Sequence, residues 1–367
     1  MKLLSIFGTR PEAVKLAPIL LALDGEPGIV SQVCVTGQHR ELIDPVLDFF
    51  CIAPDFDLGA MQPGQGLNRL AARLLKRLDP ILAGARPDRV LVQGDTTSAF
   101  AAALAAFHRG IPVAHVEAGL RTYRADAPFP EEANRRAIAL IADRHFAPTA
   151  AAKANLAGER LHGAIHVTGN SGLDALRLVL GQIGAPPPAG GARKLILVTC
   201  HRRESFGGPF AGIVAALERL AARTDVAIVF PRHPNPQTGA APAAARMLPP
   251  LDLPAFVRLM RRAALILTDS GGVQEEAAAL GKPVVVLRDA TERDEEGGVV
   301  VAGTDPDRIV HAAQAWLDGA APPPAPSDAY GDGFSAARIV DGLLGRPVDE
   351  FIPNRLAPTT SWSALTS

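Results

Sequence analysis

The chain has 367 residues, of which 48% are hydrophobic and 20% are charged, and its formal net charge at pH 7 is -1. This length favours two domains over a single core, and the composition is that of a globular protein. The near-neutral charge gives no bulk attraction to nucleic acid or to an anionic membrane, so we expect neither as a partner.

The first residues of the chain reach Arg10 and Pro11 too soon to form a secretory signal peptide. No apolar run approaches the length that spans a membrane, and we therefore expect a cytoplasmic protein. Cys34, Cys51 and Cys200 are widely separated and lack the spacing of metal ligands. We expect three buried free thiols and no metal site.

Short β-rich runs alternate with amphipathic helical patterns in the first half of the chain. The predicted strands cover residues 2–7, 32–35, 89–93, 112–116, 145–147 and 165–168. The predicted helices cover residues 13–23, 41–50, 67–82, 97–108 and 131–142, and a further helix follows each of the last two strands. This alternation is typical of parallel βαβ units in a doubly wound sheet.

A segment rich in Pro and Gly, residues 184–193, separates this N-terminal domain (1–183) from a C-terminal domain (194–321). The same alternation then restarts and predicts a second open α/β sheet. Its strands cover residues 195–199, 226–230, 265–268 and 284–287, and its helices cover residues 210–223, 254–263, 273–280 and 306–317. Residues 322–346 are predicted to form a Pro-rich connection with a last helix, and residues 347–367 a tail.

Residues 265–276, Leu-Ile-Leu-Thr-Asp-Ser-Gly-Gly-Val-Gln-Glu-Glu, predict a strand that turns tightly into a helix. Backbone N–H groups at the start of such a helix, together with the helix dipole, attract a phosphate. Gly271 and Gly272 have no Cβ to obstruct a diphosphate, and Ser270 adds a hydroxyl. Glu276 lies one turn after Gly272, where its carboxylate can accept two vicinal hydroxyls of a ribose. The alternative for this stretch alone is an ordinary turn with a capping Ser.

Polar residues follow the carboxyl ends of the predicted strands, where open parallel sheets bind ligands. The basic groups in such positions are Arg10, Lys15, His39, His201, Arg202, Arg203 and His233, and the acidic groups are Asp95, Glu117 and Glu131. Taken singly, each has a structural explanation, such as a helix cap or a surface charge. Together they imply a cleft between two domains, in which clustered carboxylates divide the roles of acid and base. No Gly-x-Gly-x-x-Gly follows a strand, so we expect no dinucleotide cofactor.

A series of motifs that covers almost the whole chain resembles the non-hydrolysing UDP-N-acetylglucosamine 2-epimerases of bacteria. The motifs are Gly-Thr-Arg-Pro-Glu-Ala-Val-Lys (8–15), Thr-Gly-Gln-His-Arg-Glu (36–41), Gln-Gly-Asp-Thr-Thr (93–97), His-Val-Glu-Ala-Gly-Leu-Arg-Thr (115–122), Pro-Phe-Pro-Glu-Glu-Ala-Asn-Arg (128–135), Val-Thr-Gly-Asn (167–170), His-Arg-Arg-Glu-Ser-Phe-Gly (201–207), His-Pro-Asn-Pro (233–236), Thr-Asp-Ser-Gly-Gly-Val-Gln-Glu-Glu (268–276), Leu-Arg-Asp-Ala-Thr-Glu-Arg (287–293) and Tyr-Gly-Asp-Gly (330–333). The chain departs from the usual family sequence at residues 123–127 and 294–298.

The resemblance implies two Rossmann-like doubly wound domains that face each other across a cleft, the GT-B type, in a homodimer without a cofactor. It implies interconversion of UDP-N-acetylglucosamine and UDP-N-acetylmannosamine for envelope polysaccharide, through elimination of UDP to a 2-acetamidoglucal and re-addition. The implied catalytic groups are Asp95, Glu117, Glu131 and His201. The residues that would bind the UDP-sugar are Arg10, Lys15, Phe256, Ser270, Gly271, Gly272, Glu276 and Arg293. A second UDP-N-acetylglucosamine would bind as an activator at Gln38, His39, Gln65, Glu131, Arg202 and His233.

Other activities fit parts of the same pattern. One alternative is a relative that acts on another UDP-2-acetamido sugar, and another is a hydrolysing enzyme that releases free N-acetylmannosamine. A GT-B glycosyltransferase would share the diphosphate corner but would transfer the sugar to an acceptor. A UDP-sugar sensor would bind the same ligand without turnover.

Overall fold

The computed structural model describes residues 1–37, 40–62, 64–184, 193–200, 208–232, 243, 245–289, 298–320 and 322–353. These residues divide into a first unit, Met1–Ala175 with Tyr330–Pro353, and a second unit, Leu176–Ala329. Within these ranges no helix has both the length and the apolar character needed to cross a membrane.

Each unit is built on one parallel sheet. The strands of the first unit are β1 (Lys2–Phe7), β2 (Val30–Val35), β3 (Phe56–Asp57), β4 (Arg89–Gln93), β5 (Val113–Val116), β6 (Arg144–Ala147) and β7 (Ala164–Val167). Those of the second unit are β8 (Lys194–Thr199), β9 (Val226–Pro231), β10 (Arg246–Leu248), β11 (Leu265–Thr268), β12 (Val284–Val286) and β13 (Val299–Val301). In the described residues their orders are β3-β2-β1-β4-β5-β6-β7 and β10-β9-β8-β11-β12-β13.

Helices connect most of the successive strands in the described part of the chain. They are α1 (Arg10–Asp24), α2 (Arg40–Phe49), α3 (Leu67–Ala85), α4 (Thr97–His108), α5 (Glu131–Ile141), α6 (Ala150–Gly158), α7 (Ser171–Ile183), α8 (Gly208–Ala221), α9 (Leu253–Arg262), α10 (Gly271–Ala279), α11 (Pro306–Leu317) and α12 (Ser335–Leu343). Strand β1 has Leu3, Leu4, Ile6 and Phe7 all at 0% exposure. Ser5 between them is also at 0% exposure, and burial on both faces is expected of a strand with helices on both sides of its sheet.

The doubly wound α/β fold with two Rossmann-like domains is therefore confirmed. Strands β3, β10 and β13, of two or three residues each, were not predicted. The expectation of three buried thiols was wrong at one position. Cys34 and Cys200 are buried, but Cys51 is exposed just beyond the end of α2, with a φ of 55°.

Candidate active site

In both sheets the strand order reverses next to the first strand of the unit. The first sheet runs one way from β1 to β3 and the other way from β4 to β7, so the reversal lies between β1 and β4. The second sheet reverses in the same manner between β8 and β11. The loops after such a pair of strands diverge and leave a crevice at the carboxyl ends, where doubly wound sheets bind ligands.

Glu117 follows β5 near the first of these points, and side chains from three other elements hold its carboxylate. Lys15 on α1 lies with Nζ 2.5 Å from Oε1, and Asn170 donates from Nδ2 to the same oxygen over 2.9 Å. Gln93 at the end of β4 donates from Nε2 to Oε2 over 2.5 Å. The Glu117 side chain is 9% exposed, and its backbone φ of 62° is uncommon for a residue with a side chain. A carboxylate that is fixed and mostly removed from water is suited to proton transfer.

Asp95 lies in the turn between β4 and α4. Its Oδ2 accepts a hydrogen bond from Arg135 Nη2 over 2.5 Å, and its backbone carbonyl accepts one from Asn134 Nδ2 over 2.9 Å. Both donors come from α5, so this helix fixes the turn. The Asp95 side chain is 25% exposed and therefore accessible to a ligand.

Two adjacent acids at the start of α5 have different surroundings. Glu132 is fully buried and accepts hydrogen bonds from the backbone N–H groups of Thr122 and Tyr123, over 3.1 and 3.0 Å. Glu131 is the first residue of the helix and is half-buried. Glu132 thus stabilises the preceding loop, while Glu131 is the more accessible of the two acids.

Glu12 joins the two loops at the first reversal point. Its Oε2 accepts from the backbone N–H groups of Gly8 and Thr9 over 2.9 and 2.7 Å, and its Oε1 accepts from Thr96 Oγ1 over 2.7 Å. Burial raises the pKa of this carboxyl, although these hydrogen bonds oppose the shift. Arg10 opens α1 directly after Thr9 and is half-buried. The loop that carries Arg10 is therefore tied to the turn that carries Asp95.

The predicted strand-to-helix corner is present in the second unit, and α10 begins at Gly271. Thr268 Oγ1 accepts from the backbone N–H of Ser270 over 3.0 Å and lies 2.6 Å from Thr199 Oγ1 on β8. The Ser270 side chain makes no hydrogen bond to the helix that it precedes. A Cβ built at Gly272 would meet no atom of the described residues within 4 Å apart from its chain neighbours and its own helix backbone, so these residues leave space beside the first turn. The first N–H groups of an α-helix have no partner within it, which makes this corner suitable for an anion.

The remaining predicted residues fall into two groups. Glu276 on α10 and Phe256 on α9 are half-buried. Gln65 donates from Nε2 to the Ala60 carbonyl and to Met61 Sδ, each over 3.2 Å. The predicted residues that lie outside the described part of the chain are Gln38, His39, His201, Arg202, His233 and Arg293.

Four residues of the site were not predicted from the sequence. Gln93 and Asn170 bind Glu117, and Asn134 and Arg135 bind Asp95. Gln93 lies at the end of β4 and Asn170 follows the end of β7. Their positions at strand ends could have identified them as candidates. Asn134 and Arg135 are interior residues of α5, where the sequence pattern gives no sign that they face a turn.

Comparison with known proteins gives one consistent family. A model of the family described as UDP-N-acetylglucosamine 2-epimerase matches residues 21–344. The chain is 47% identical to the UDP-N-acetylglucosamine 2-epimerase of Salmonella typhimurium, over 94% of this chain and 98% of that protein. The Escherichia coli K12 enzyme of the same name is also 47% identical, over the same shares.

Solved structures agree with this comparison. The UDP-GlcNAc 2-epimerase of Neisseria meningitidis, bound to UDP-GlcNAc, has a TM-score of 0.89 and 40% identity, over 94% of this chain and 100% of that one. The Methanocaldococcus jannaschii enzyme, in complex with UDP-GlcNAc and UDP, has a TM-score of 0.84 and 32% identity, with the same coverage.

Proposed function

Because the chain belongs to the UDP-N-acetylglucosamine 2-epimerase family, we propose that it is an isomerase that inverts C2 of UDP-N-acetylglucosamine to give UDP-N-acetylmannosamine, reversibly. The observation that carries this proposal is the arrangement around Glu117, where Lys15, Gln93 and Asn170 fix a carboxylate at the ligand-binding edge of the first sheet. An isomerase that moves a proton needs such a group beside its substrate.

The diphosphate of the substrate binds at the start of α10 in this proposal. The backbone N–H groups of Gly271 and Gly272 and the hydroxyl of Ser270 donate to phosphate oxygens, and Glu276 accepts from the ribose hydroxyls. The open space beside Gly272 supports this assignment. Residues assigned to the same substrate by the family resemblance are Arg10, Lys15, Phe256, His201 and Arg293.

Direct removal of the C2 proton is very unfavourable, because C2 is not adjacent to a carbonyl group. Departure of UDP from C1, with both electrons of the C1–O bond, leaves a cationic centre that acidifies the C2 proton. A base then takes this proton, and the electrons of the C2–H bond form the double bond of 2-acetamidoglucal. Protonation of C2 on the opposite face and return of UDP to C1 complete the inversion. Asp95, Glu117, Glu131 and His201 carry the protons, while the α10 corner stabilises the departing diphosphate.

Turnover of UDP-N-acetylglucosamine in D2O tests this route. We expect deuterium at C2 of both sugars, read by proton NMR, because C2 is deprotonated in every cycle. Asp95→Asn and Glu117→Gln should each lose roughly a hundredfold or more in rate while still binding UDP. Asp126→Asn is the control, since this carboxylate is 77% exposed and, among the described residues, pairs with Arg124 on its own loop. Epimerisation with the C2 proton fully retained would overturn the mechanism.

The same incubation separates the alternatives. Free N-acetylmannosamine together with UDP would identify a hydrolysing enzyme. An unchanged substrate would favour a glycosyltransferase or a sensor, and turnover of another UDP-2-acetamido sugar alone would redefine the substrate. The epimer as sole product supports the proposal. The proposed role of the enzyme is synthesis of an envelope polysaccharide precursor in the cytoplasm.

A second UDP-N-acetylglucosamine acts as an activator in this proposal, at Gln38, His39, Gln65, Glu131, Arg202 and His233. Gln65 Oε1 supports the assignment, because it is buried without a hydrogen-bond partner in the part of the chain that the structure describes. A trace of UDP-N-acetylglucosamine should then accelerate a reaction started from UDP-N-acetylmannosamine, and His233→Ala should remove the acceleration but keep UDP affinity. Linear progress curves that do not respond to the trace would leave the activator site unsupported.

A further inference from the structure

His115 lies in β5, two residues before Glu117, and is fully buried. Its Nε2 is 2.7 Å from the carbonyl oxygen of Gly94. A carbonyl oxygen can only accept a hydrogen bond, so Nε2 carries the proton and donates it. Burial lowers the pKa of His115 to about 3, so the imidazole stays neutral at any working pH.

The neutral ring leaves Nδ1 as an acceptor, and this atom is buried with no hydrogen-bond partner among the described residues. An unpaired buried polar atom costs about 1–3 kcal/mol. An aliphatic side chain would therefore suit this position in the sheet better, if packing were the only requirement. Only a side chain that places a donor at this distance can make the hydrogen bond to the Gly94 carbonyl.

The hydrogen bond from His115 to Gly94 constrains the backbone next to Asp95. The Gly94 carbonyl belongs to the peptide group that leads into Asp95, and the Asp95 carbonyl, which accepts from Asn134, belongs to the next peptide group. The two donors thus fix the peptide planes on both sides of the Asp95 Cα, and Arg135 fixes its carboxylate. Gly94 has a φ of 68°, so the turn adopts a conformation that most residues avoid.

We propose that His115 is a positioning residue, which holds the turn before Asp95 so that this carboxylate keeps its place against the sugar. The inference rests on the proposed acid–base role of Asp95. A catalytic group displaced by about 1 Å costs on the order of a hundredfold in rate. Loss of the His115 bond should therefore lower kcat rather than weaken the binding of UDP.

The chain offers a matched control in His145. This residue pairs in register with His115 on the neighbouring strand β6 and is also at 0% exposure. Its Nε2 lies 3.1 Å from the His162 carbonyl, and its Nδ1 likewise has no hydrogen-bond partner among the described residues. Burial lowers its pKa too. Replacing either histidine by Leu removes the same chemistry from the same sheet, but only one of the two changes releases the Asp95 turn.

The test compares steady-state kinetics with UDP-N-acetylglucosamine, UDP affinity and thermal stability. We expect His115→Leu to lower kcat about 10- to 100-fold, with KM and the Kd of UDP within about twofold of wild type. His115→Gln, which keeps a donor near the place of Nε2, should recover most of the loss. His145→Leu should lower stability by a similar amount and leave kcat within about twofold. Equal losses of kcat in the two Leu variants would overturn the inference.

If His115→Leu does not fold, a comparison of His115→Gln with His115→Asn tests the inference. The Asn side chain is too short to reach Gly94, whereas the Gln side chain is long enough. The Gln variant should then be the faster of the two by roughly tenfold, and equal rates would overturn the inference. Combining His115→Gln or His115→Leu with Asp95→Asn tests the route of the effect. A positioning residue adds little to the loss already caused by Asp95→Asn, whereas multiplied losses would show that it does not act through Asp95.

These outcomes separate the two proposals. Near-normal rates in Asp95→Asn would remove the acid–base assignment and the inference with it. A strong loss in Asp95→Asn beside unchanged kcat in His115→Leu would remove the inference alone.

Discussion

Four buried or half-buried acids of the first unit differ in the donors that surround them. Glu12 and Glu132 accept hydrogen bonds mainly from backbone N–H groups of nearby loops, with one further bond from Thr96 Oγ1 to Glu12. Glu117 and Asp95 instead accept from side chains that converge from other elements. The first two acids therefore stabilise loops, and the last two are held where strands end.

His115 also makes stability depend on pH. Its pKa is about 3 in the folded chain, compared with 6.5 for an ordinary histidine. Between these values the unfolded chain binds a proton that the folded chain excludes, so stability is complete above about pH 6.5 and falls as the pH falls. The expected slope from this residue is about 1.4 kcal/mol per pH unit.

Urea unfolding at pH 7, 6 and 5 measures this slope in wild type and in His115→Gln. The Gln variant should lose less stability on acidification, because its side chain does not titrate. Identical slopes in the two proteins would contradict a depressed His115 pKa. His145 contributes in the same direction and is present in both proteins, so it cancels in the comparison.

The sequence places Asp95 and Glu117 just after strands, where the structure also has them, but it does not show which side chains hold them. Asp95 and Glu117 follow clear apolar strands, and the rule that ligands bind at strand ends selects them. Glu131 and Glu132 have the same chemistry and adjacent positions, and only the fold shows that Glu132 turns to the backbone of Thr122 and Tyr123. Contacts of this kind depend on tertiary packing, which no local pattern encodes.

At the scale of elements, α8 packs closely against the segment that leads into α11. A Cβ built at Gly212 on α8 would lie 2.3 Å from the carbonyl oxygen of Thr304, so any side chain there displaces backbone. Gly212→Ala should lower the stability of the second unit by about 1–3 kcal/mol.

Gly181 provides the opposite case in the same unit. It is an exposed residue of α7, and a Cβ built there meets no atom of another described element within 4 Å. Gly181→Ala should raise stability by about 0.5–1 kcal/mol, because Ala favours the helix without a clash. Thermal unfolding of both variants measures the contrast. Equal effects would show that α8 can move away from Thr304 at little cost.

The long elements were predicted closely, and the position of the last helix was not. Asp174 on α7 accepts from the backbone N–H groups of Ser335 and Ala336 over 3.1 and 2.8 Å, and so caps α12. The Phe351 N–H donates to the Val167 carbonyl at the end of β7. These partners lie more than 160 residues apart along the chain. Local periodicity identifies α12 as a helix, but it cannot show which unit the helix joins.

For the whole molecule we propose a homodimer, and an exposed apolar surface supports it. Phe107 on α4 is 57% exposed and Leu140 on α5 is 67% exposed, each at the next-to-last position of its helix, and the two helices pack together. Large apolar side chains that are exposed on two helices in contact are typical of interfaces between subunits. Phe107→Glu and Leu140→Glu should shift the protein from dimer to monomer in light scattering.

Leu21→Glu is the control for this prediction. Leu21 is an apolar residue on the surface of α1 in the same unit, at 41% exposure. The Leu21→Glu change should leave the oligomeric state unchanged. A wild-type protein that is monomeric at micromolar concentration would refute the proposal, and dimers in both Glu variants would place the interface elsewhere.

The division of the first unit between Met1–Ala175 and Tyr330–Pro353 affects how the enzyme is made. Translation completes residues 176–329 before the ribosome reaches the segment whose helix α12 is capped by Asp174 and whose Phe351 N–H donates to the end of β7. At about 5–20 residues per second, the nascent first unit waits roughly ten to thirty seconds for that segment. The unit that begins translation first therefore stays incomplete until residues 176–329 have been synthesised, and any chaperone that protects it must act during that interval.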